Sequence, residues 1–234
     1  MKKNLQAVII ISMIVLSTNV FGQTSEVGSE KIKVAESTQN TYLDLLLNVV
    51  GTNLNYGSSN SALSDYKRAV LGVQVGASFQ AGITSKLSVV SEFYFMMKGG
   101  ELKANNPLSP YKTTLRLYTL ELPVLARFNL GKFYVNAGPS IAYSLNGTKK
   151  INEESTNVSF TNSGDALKRW DASIQMGGGY RFKIKQKYVV LDMRYTYGLT
   201  NISYSQEMYN RNLNISLHIS APWKTNPLGI HKNL

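Results

Sequence analysis

The sequence predicts an all-β fold: an eight-stranded antiparallel up-and-down transmembrane β-barrel. Three observations predict it. Segments of roughly ten residues or more alternate apolar and polar side chains with period two, the mark of strands with two unlike faces. Globular strands have a mode of ~5–6 residues, whereas tilted strands that cross a bilayer need ~9–11. The connections between the segments alternate long and short, as they do in outer-membrane barrels with short periplasmic turns and long outer loops.

The elements follow in order. Lys2 and Lys3 precede an apolar run from Leu5 to Leu16, and small residues from Ser17 to Gly22 lead to a cut before Gln23. Residues 1–22 therefore read as a secretory signal peptide. The run is too short for a spanning helix, which needs ~20 apolar residues. Residues 23–40 are polar and read as a periplasmic linker. The barrel is expected over 41–220, with strands at about 42–52, 69–82, 86–99, 114–130, 133–146, 170–183, 188–201 and 208–220. Long connections fall at 53–68, 100–113, 147–169 and 202–207, and short ones at 83–85, 131–132 and 184–187. Residues 221–234 read as a periplasmic tail. An even strand count puts both ends of the barrel on the periplasmic side, in keeping with an exported N-terminus.

Charge decides which face meets which solvent. A soluble barrel carries its apolar face inward and a charged face outward, whereas a membrane barrel exchanges them. Only 17% of the 234 residues are charged, and the polar strand faces hold mainly Gly, Ser, Thr, Asn and Gln. A solvated surface is typically a quarter or more Lys, Arg, Asp and Glu. The apolar faces are therefore assigned to lipid: Leu43, Leu45, Leu47 and Val49 on the first strand, Leu213, Ile215, Leu217 and Ile219 on the last. Aromatic residues gather near strand ends. Tyr42, Phe128, Phe133, Tyr180, Phe182 and Tyr188 lie toward the short turns, and Tyr118, Tyr143, Trp170, Tyr195 and Tyr197 toward the long loops. Two such girdles are expected where a barrel meets lipid head groups.

Composition excludes several functions. The chain has no cysteine, so disulfides, thiolate metal sites, a thiol nucleophile and a lipobox anchor are out. Two histidines, His218 and His231, rule out a multi-histidine metal centre. Neither is expected at the outer rim, where lipid-directed hydrolysis would need it, so no enzyme and no catalytic residue is assigned. No phosphate-cradling motif occurs, and Gly177, Gly178 and Gly179 read as barrel lining. No cofactor is expected. The formal charge is +11, and +9 once Lys2 and Lys3 are removed. These cations are scattered and not interleaved with aromatics, so no nucleic-acid partner is expected.

The stretch Leu120-Glu121-Leu122-Pro123-Val124-Leu125, followed by Gly131-Lys132-Phe133-Tyr134-Val135-Asn136-Ala137-Gly138-Pro139, resembles the PorT-like outer-membrane β-barrel family of Bacteroidetes. Gly177-Gly178-Gly179-Tyr180 and Arg194-Tyr195-Thr196-Tyr197-Gly198-Leu199 resemble the sixth and seventh strands of that family. The resemblance covers roughly 40–220. It implies an eight-stranded barrel in the outer membrane. It also implies a candidate role in a protein-secretion apparatus, because the family's namesake is tied to secretion. Barrels of this class often end on an aromatic residue, whereas this chain runs on past Ser220 to Leu234.

The candidate site is the set of charges on the inward faces: Asp44, Glu92, Glu121, Arg127, Arg181, Asp192 and Arg194. A turn at 184–187 puts Asp192 opposite Gly179 and Arg194 opposite Gly177. A three-residue turn at 83–85 puts Glu92 opposite Gly76. Glycine leaves room for a long side chain inside a barrel only wide enough for side chains to fill it. Buried charges need partners, so this set is expected to form a network that plugs the lumen. The expected function is a small closed outer-membrane barrel, a structural or interaction module whose loops 53–68, 100–113 and 147–169 carry specificity. A secretion-apparatus component, a small pore and a soluble periplasmic ligand-binding barrel are the alternatives. Outer-membrane lipid surrounds the barrel on this reading, secretion-apparatus or envelope proteins are the candidate partners, and the oligomeric state stays open.

Overall fold

A computed structural model describes residues 42–84, 86–161, 164–184 and 187–220. The expected signal peptide, linker and tail lie outside the described residues, as does His231. Ten strands follow in chain order: β1 Tyr42–Asn55, β2 Lys67–Arg68, β3 Val70–Gly82, β4 Leu87–Leu102, β5 Thr113–Leu130, β6 Phe133–Ile151, β7 Glu154–Asn157, β8 Trp170–Ile184, β9 Lys187–Gly198 and β10 Tyr209–Ser220. A short 3-10 helix, Ser61–Tyr66, precedes β2. No described helix is long and apolar enough to cross a membrane.

Eight of the strands form a closed ring in the order β1-β3-β4-β5-β6-β8-β9-β10 and back to β1. Every pair is antiparallel, and each is a neighbour in sequence except the closing pair. β2 adds to β4, and β7 adds to β6, at the loop end. Closure leaves no free sheet edge, the condition for a sheet to sit in lipid. The closing ladder pairs Val49 with Ile215 and runs to Asn55 with Tyr209.

Short turns set the register. Gly131 takes a left-handed φ of 68° at the first central position of the two-residue β5–β6 turn, the requirement of a type II′ hairpin. The β3–β4 turn differs from expectation. The Ile83 N–H donates to the Leu87 carbonyl, and the Thr84 hydroxyl accepts from the N–H groups of Lys86 and Leu87. That side-chain cap moves the turn one residue along the chain and the register by two. Glu92 therefore faces Ser78, and Gly76 faces Tyr94. The β8–β9 pairing does place Gly177 opposite Arg194 and Gly179 opposite Asp192.

The faces fall as the charge argument requires. Leu45 is 82% exposed and Leu217 67%, while Glu92 is 3% exposed and Glu121 2%. Apolar side chains point out of the ring and polar ones in. This overturns the soluble ligand-barrel alternative, which needs the reverse. Phe133 packs edge-on to Tyr180 at 4.5 Å near the turn end, and Tyr143 packs edge-on to Trp170 at 4.9 Å near the loop end. Tyr42 and Tyr188 do not belong to the girdle at the turn end. Their positions have inward parity, and both line the lumen with Arg127 and Arg181.

Three strands run well past their expected boundaries at the loop end, whereas β9 stops short of its own, at Gly198. β1 continues to Asn55, β4 to Leu102 and β6 to Ile151. Along β1, β4 and β5 the alternation keeps its phase in space and inverts its chemistry, while β6 shifts by one residue at a bulge opposite Tyr118 and Thr119. Leu54, Leu102, Leu115 and Leu117 are buried inside, while Asn53, Glu101, Thr114 and Arg116 occupy the intervening outward positions. Leu54, Leu63, Leu102, Leu115, Leu117, Leu167, Ile202 and Met208 form a single apolar core there.

Candidate functional site

The lumen is built from inward side chains contributed by every strand of the ring. Toward the loop end, Lys98 Nζ lies 2.7 Å from Glu121 Oε1 and 3.2 Å from Asp171 Oδ2. Asn210 Nδ2 donates to Asp171 Oδ2 at 2.7 Å, and the Thr200 hydroxyl donates to Asp171 Oδ1 at 2.8 Å. The Tyr94 hydroxyl donates to Glu121 Oε2 at 3.2 Å and accepts from Gln175 Nε2 at 2.8 Å. Gln175 links down to Arg194, whose Nη1 donates to Gln175 Oε1 at 3.5 Å.

Arg194 is the centre of the second cluster. Its Nη1 lies 2.7 Å from Glu92 Oε2, and its Nη2 lies 3.4 Å from Asp192 Oδ1. The Tyr134 hydroxyl donates to Asp192 Oδ2 at 2.6 Å. The Tyr134 ring then starts the third cluster. Arg127 stacks 4.1 Å from its centroid and Arg181 5.0 Å. Arg127 Nη1 donates to Gln80 Oε1, and Arg181 Nη2 donates to Asn129 Oδ1, each at 2.8 Å. Asp44 faces both arginines across a cavity of about 10 Å³. A second cavity of about 10 Å³ lies beside Glu92, Asp192 and Arg194. Each has room for about one water at most.

Glycines make this packing sterically feasible. A Cβ on Gly177 would lie 2.3 Å from the Met193 carbonyl oxygen and 2.7 Å from Arg194 Cα. A Cβ on Gly179 would lie 2.3 Å from the Tyr134 hydroxyl oxygen, and one on Gly76 would lie 2.4 Å from Tyr94 Cβ. The space opposite Gly179 and Gly76 is thus taken by tyrosines, not by carboxylates.

Of the seven charges singled out from the sequence, Glu92, Asp192 and Arg194 meet directly. Arg127, Arg181 and Asp44 gather at the turn end. Glu121 sits apart from these and joins Lys98 and Asp171. Sequence reasoning missed those two, although Lys98 has inward parity with Glu92, and Asp171 with Arg181. Both fall inside the expected strands 86–99 and 170–183, one residue from their loop ends, but were left out of the set of inward charges. Tyr94, which the alternation places on the inner face, and Tyr134 carry the links between clusters, and a strand tyrosine gives no sign in the sequence of the charges it bridges. His218 pairs with Val190 close to the end of β10.

Above the charged lumen the apolar core seals the loop end. The loops are tied together as well as packed. Glu207 Oε2 accepts from the Ser59 hydroxyl at 2.6 Å and from the Ser59 N–H at 3.3 Å. These bonds hold the Glu207 carboxyl below its ordinary range. Gly57 has φ 69°, and any Cβ there would run into the Glu207 carboxylate. Burial pushes the Tyr56 hydroxyl up to about 12, so it stays neutral as part of the core.

A closed ring with an apolar outside, two aromatic girdles and a charged, filled inside defines a small outer-membrane β-barrel. A family model described as "Outer membrane protein beta-barrel domain" matches residues 38–204, and the chain belongs to that family. The match is broader than the PorT-like resemblance. No curated protein matches the chain. Among solved structures, it is similar to Neisserial surface protein A, at 10% identity over 79% of this chain and 97% of that one, with a TM-score of 0.44. It is also similar to Ail, the attachment invasion locus protein of Yersinia pestis, at 9% identity over 77% and 99%, with a TM-score of 0.41. A third is OprG from Pseudomonas aeruginosa, at 10% identity over 80% and 98%, with a TM-score of 0.38. At these identities and scores the similarities carry no reading of function.

Proposed function

We propose that this outer-membrane barrel is a closed, non-conducting module, exported through a cleaved signal at residues 1–22, with its loop end on the cell exterior. The observation that supports it most is the continuous column of ion pairs, hydrogen bonds and a final cation–π contact from Asp171 through Lys98, Glu121, Tyr94, Gln175, Arg194, Asp192 and Tyr134 to Arg181. A water-filled pore needs an open column, and a selective one uses a ring of single sign. Here cations and carboxylates alternate along the axis, and the apolar core lies across the loop end. Specificity then resides in the loops, which a rigid barrel presents to the exterior. The secretion-apparatus reading rests on the PorT-like resemblance alone and is an outcome of the test below.

The absence of native cysteine makes the test direct. Ser155→Cys, in the β6–β7 hairpin, should react with a membrane-impermeant maleimide on intact cells. Lys132→Cys, in the β5–β6 turn, should react only after lysis. The purified protein should give no stable conductance in a planar bilayer. Labelling of Lys132→Cys on intact cells, or reproducible single-channel steps from the wild type, would overturn the proposal. Co-purification of secretion proteins from solubilised outer membrane would move the module into that apparatus.

A further inference from the structure

The loop-end core does not fill its own volume. A cavity of about 230 Å³ opens between β4, β5 and β6 and the segments around Val158, Asp165 and Ser203–Met208. Leu102, Leu115, Val158, Leu167 and Met208 form its apolar wall. Leu108 and Ile151 stand at its mouth, 55% and 37% exposed, beyond the aromatic girdle and out of reach of lipid. Large apolar side chains left to water around a cavity mark a binding site more often than a surface accident.

The other wall is polar, and one group on it stands out. Asn106 is satisfied within its own loop, accepting from the Leu108 and Ser109 N–H groups and donating to the Lys103 carbonyl. Ser203 is paired with Ser205. Lys149, inward-facing opposite Leu115, is half-buried, and its ammonium has no ion pair or hydrogen bond among the described residues. Asp165, the one carboxylate on the lining, is exposed to solvent. A half-buried cation without a partner beside an apolar wall favours an anionic head on an apolar body.

We propose that this cavity binds a small amphipathic anion, a medium-chain or arylalkyl carboxylate, with its apolar body against Leu102, Leu115 and Met208 and its carboxylate on Lys149. At interior packing density, ~0.75, a 230 Å³ cavity holds on the order of ten non-hydrogen atoms. The site does not depend on which side of the membrane the loops face, so its test is separate from that of the barrel's role.

The experiment uses the full mature chain in lipid nanodiscs, with empty discs as the reference, and octanoate labelled with ¹³C at its carboxylate as the probe. Wild type should show one saturable site by NMR titration. Lys149→Met, which keeps the aliphatic stem, should weaken binding at least tenfold. Val158→Trp, which fills the cavity from a loop, should abolish it. Octylammonium and 1-octanol should show no saturable binding. Heat-dependent gel mobility verifies that each variant is folded. Failure of octanoate to saturate on wild type, unchanged affinity in folded Lys149→Met or Val158→Trp, or equal binding of 1-octanol would each overturn the proposal.

Discussion

The same strands build two sections of this barrel, and the two sections obey opposite rules. In the membrane section Leu45, Val73, Met193 and Ile215 face outward, and Glu92, Gln175 and Arg194 face inward. In the loop-end section Leu54, Leu102, Leu115 and Leu117 face inward, and Arg116, Thr114 and Glu101 alternate with them. The antiparallel ring runs on from one section to the other, with a bulge in the β5–β6 ladder at the boundary. What changes is the solvent outside. Lipid supplies no hydrophobic drive to close the ring, so the membrane section is held from within by hydrogen bonds and ion pairs. Water supplies that drive, so the loop-end section is held by an ordinary apolar core.

The comparison predicts different weak points. In the membrane section the largest effect should come from Arg194→Ala, which leaves Glu92 and Asp192 buried without their cation. Breaking a buried ion pair by removing one partner costs about 3–5 kcal/mol. Urea unfolding in detergent micelles measures it. A second substitution that neutralises the stranded charge, Glu92→Gln, should recover part of the loss. A cost below about 1 kcal/mol would mean that the lumen is not held by its charges.

In the loop-end section the corresponding change is Leu117→Ala. Leu117 is 1% exposed in the apolar core. Emptying such a site costs about 3 kcal/mol through lost transfer energy and the cavity left behind. The loss should be confined to the loop end, so hydrogen exchange should rise around Leu54, Leu63 and Ile202 and stay unchanged around Glu92. Uniform exchange across both sections would show that they unfold as one unit.

The outward faces offer the third contrast. Ala77 lies near the middle of β3 on the lipid face, between Leu45 and Phe93. Ala77→Arg should cost about 2 kcal/mol or more, because a cation there meets hydrocarbon. Thr114→Arg, on the outward face of the loop-end section, should cost close to nothing. Equal costs at the two positions would erase the boundary between the sections.

Much of this division was legible in the sequence, and the unread part has a physical cause. The lipid faces were readable because a single unbroken alternation, such as Leu71 to Ala81, needs no partner strand to interpret. The boundary is also written in the chain. In β5 the apolar residues fall on Leu115 and Leu117, then switch phase to Tyr118, Leu120 and Leu122. The reversal occurs where the ladder to β6 has a bulge, at Tyr118 and Thr119. The skipped residue lies in β6, at Leu145, and residues 147–151 beyond it belong to a connection on sequence alone. The lumenal charges were readable by parity, but their partners were not. Which carboxylate meets which cation depends on ladders between strands distant in sequence, as Glu92 and Arg194 show. It depends also on turn details such as the Thr84 cap, which moved Glu92 from Gly76 to Ser78.

The smallest predicted effect belongs to the loops that close the loop-end section. Glu207 is partly exposed, and its two bonds from Ser59 join the β9–β10 connection to the β1–β2 connection. Those bonds hold its carboxyl below the ordinary value of 4.5. A carboxyl with a depressed folded value binds protons more weakly folded than unfolded. Its contribution is therefore complete above the ordinary value and is lost as the pH falls through the depressed one. The tie is solvent-exposed and screened, so global unfolding should not register its loss. The local readouts should. Glu207 Cδ should titrate by NMR below an ordinary glutamate, and the Ser59 amide should exchange faster once that titration is complete. Glu207→Gln should show the faster Ser59 exchange at every pH, with the membrane section unchanged. An ordinary or raised titration of Glu207, or a Ser59 amide indifferent to it, would show that the loops are held by the apolar core alone.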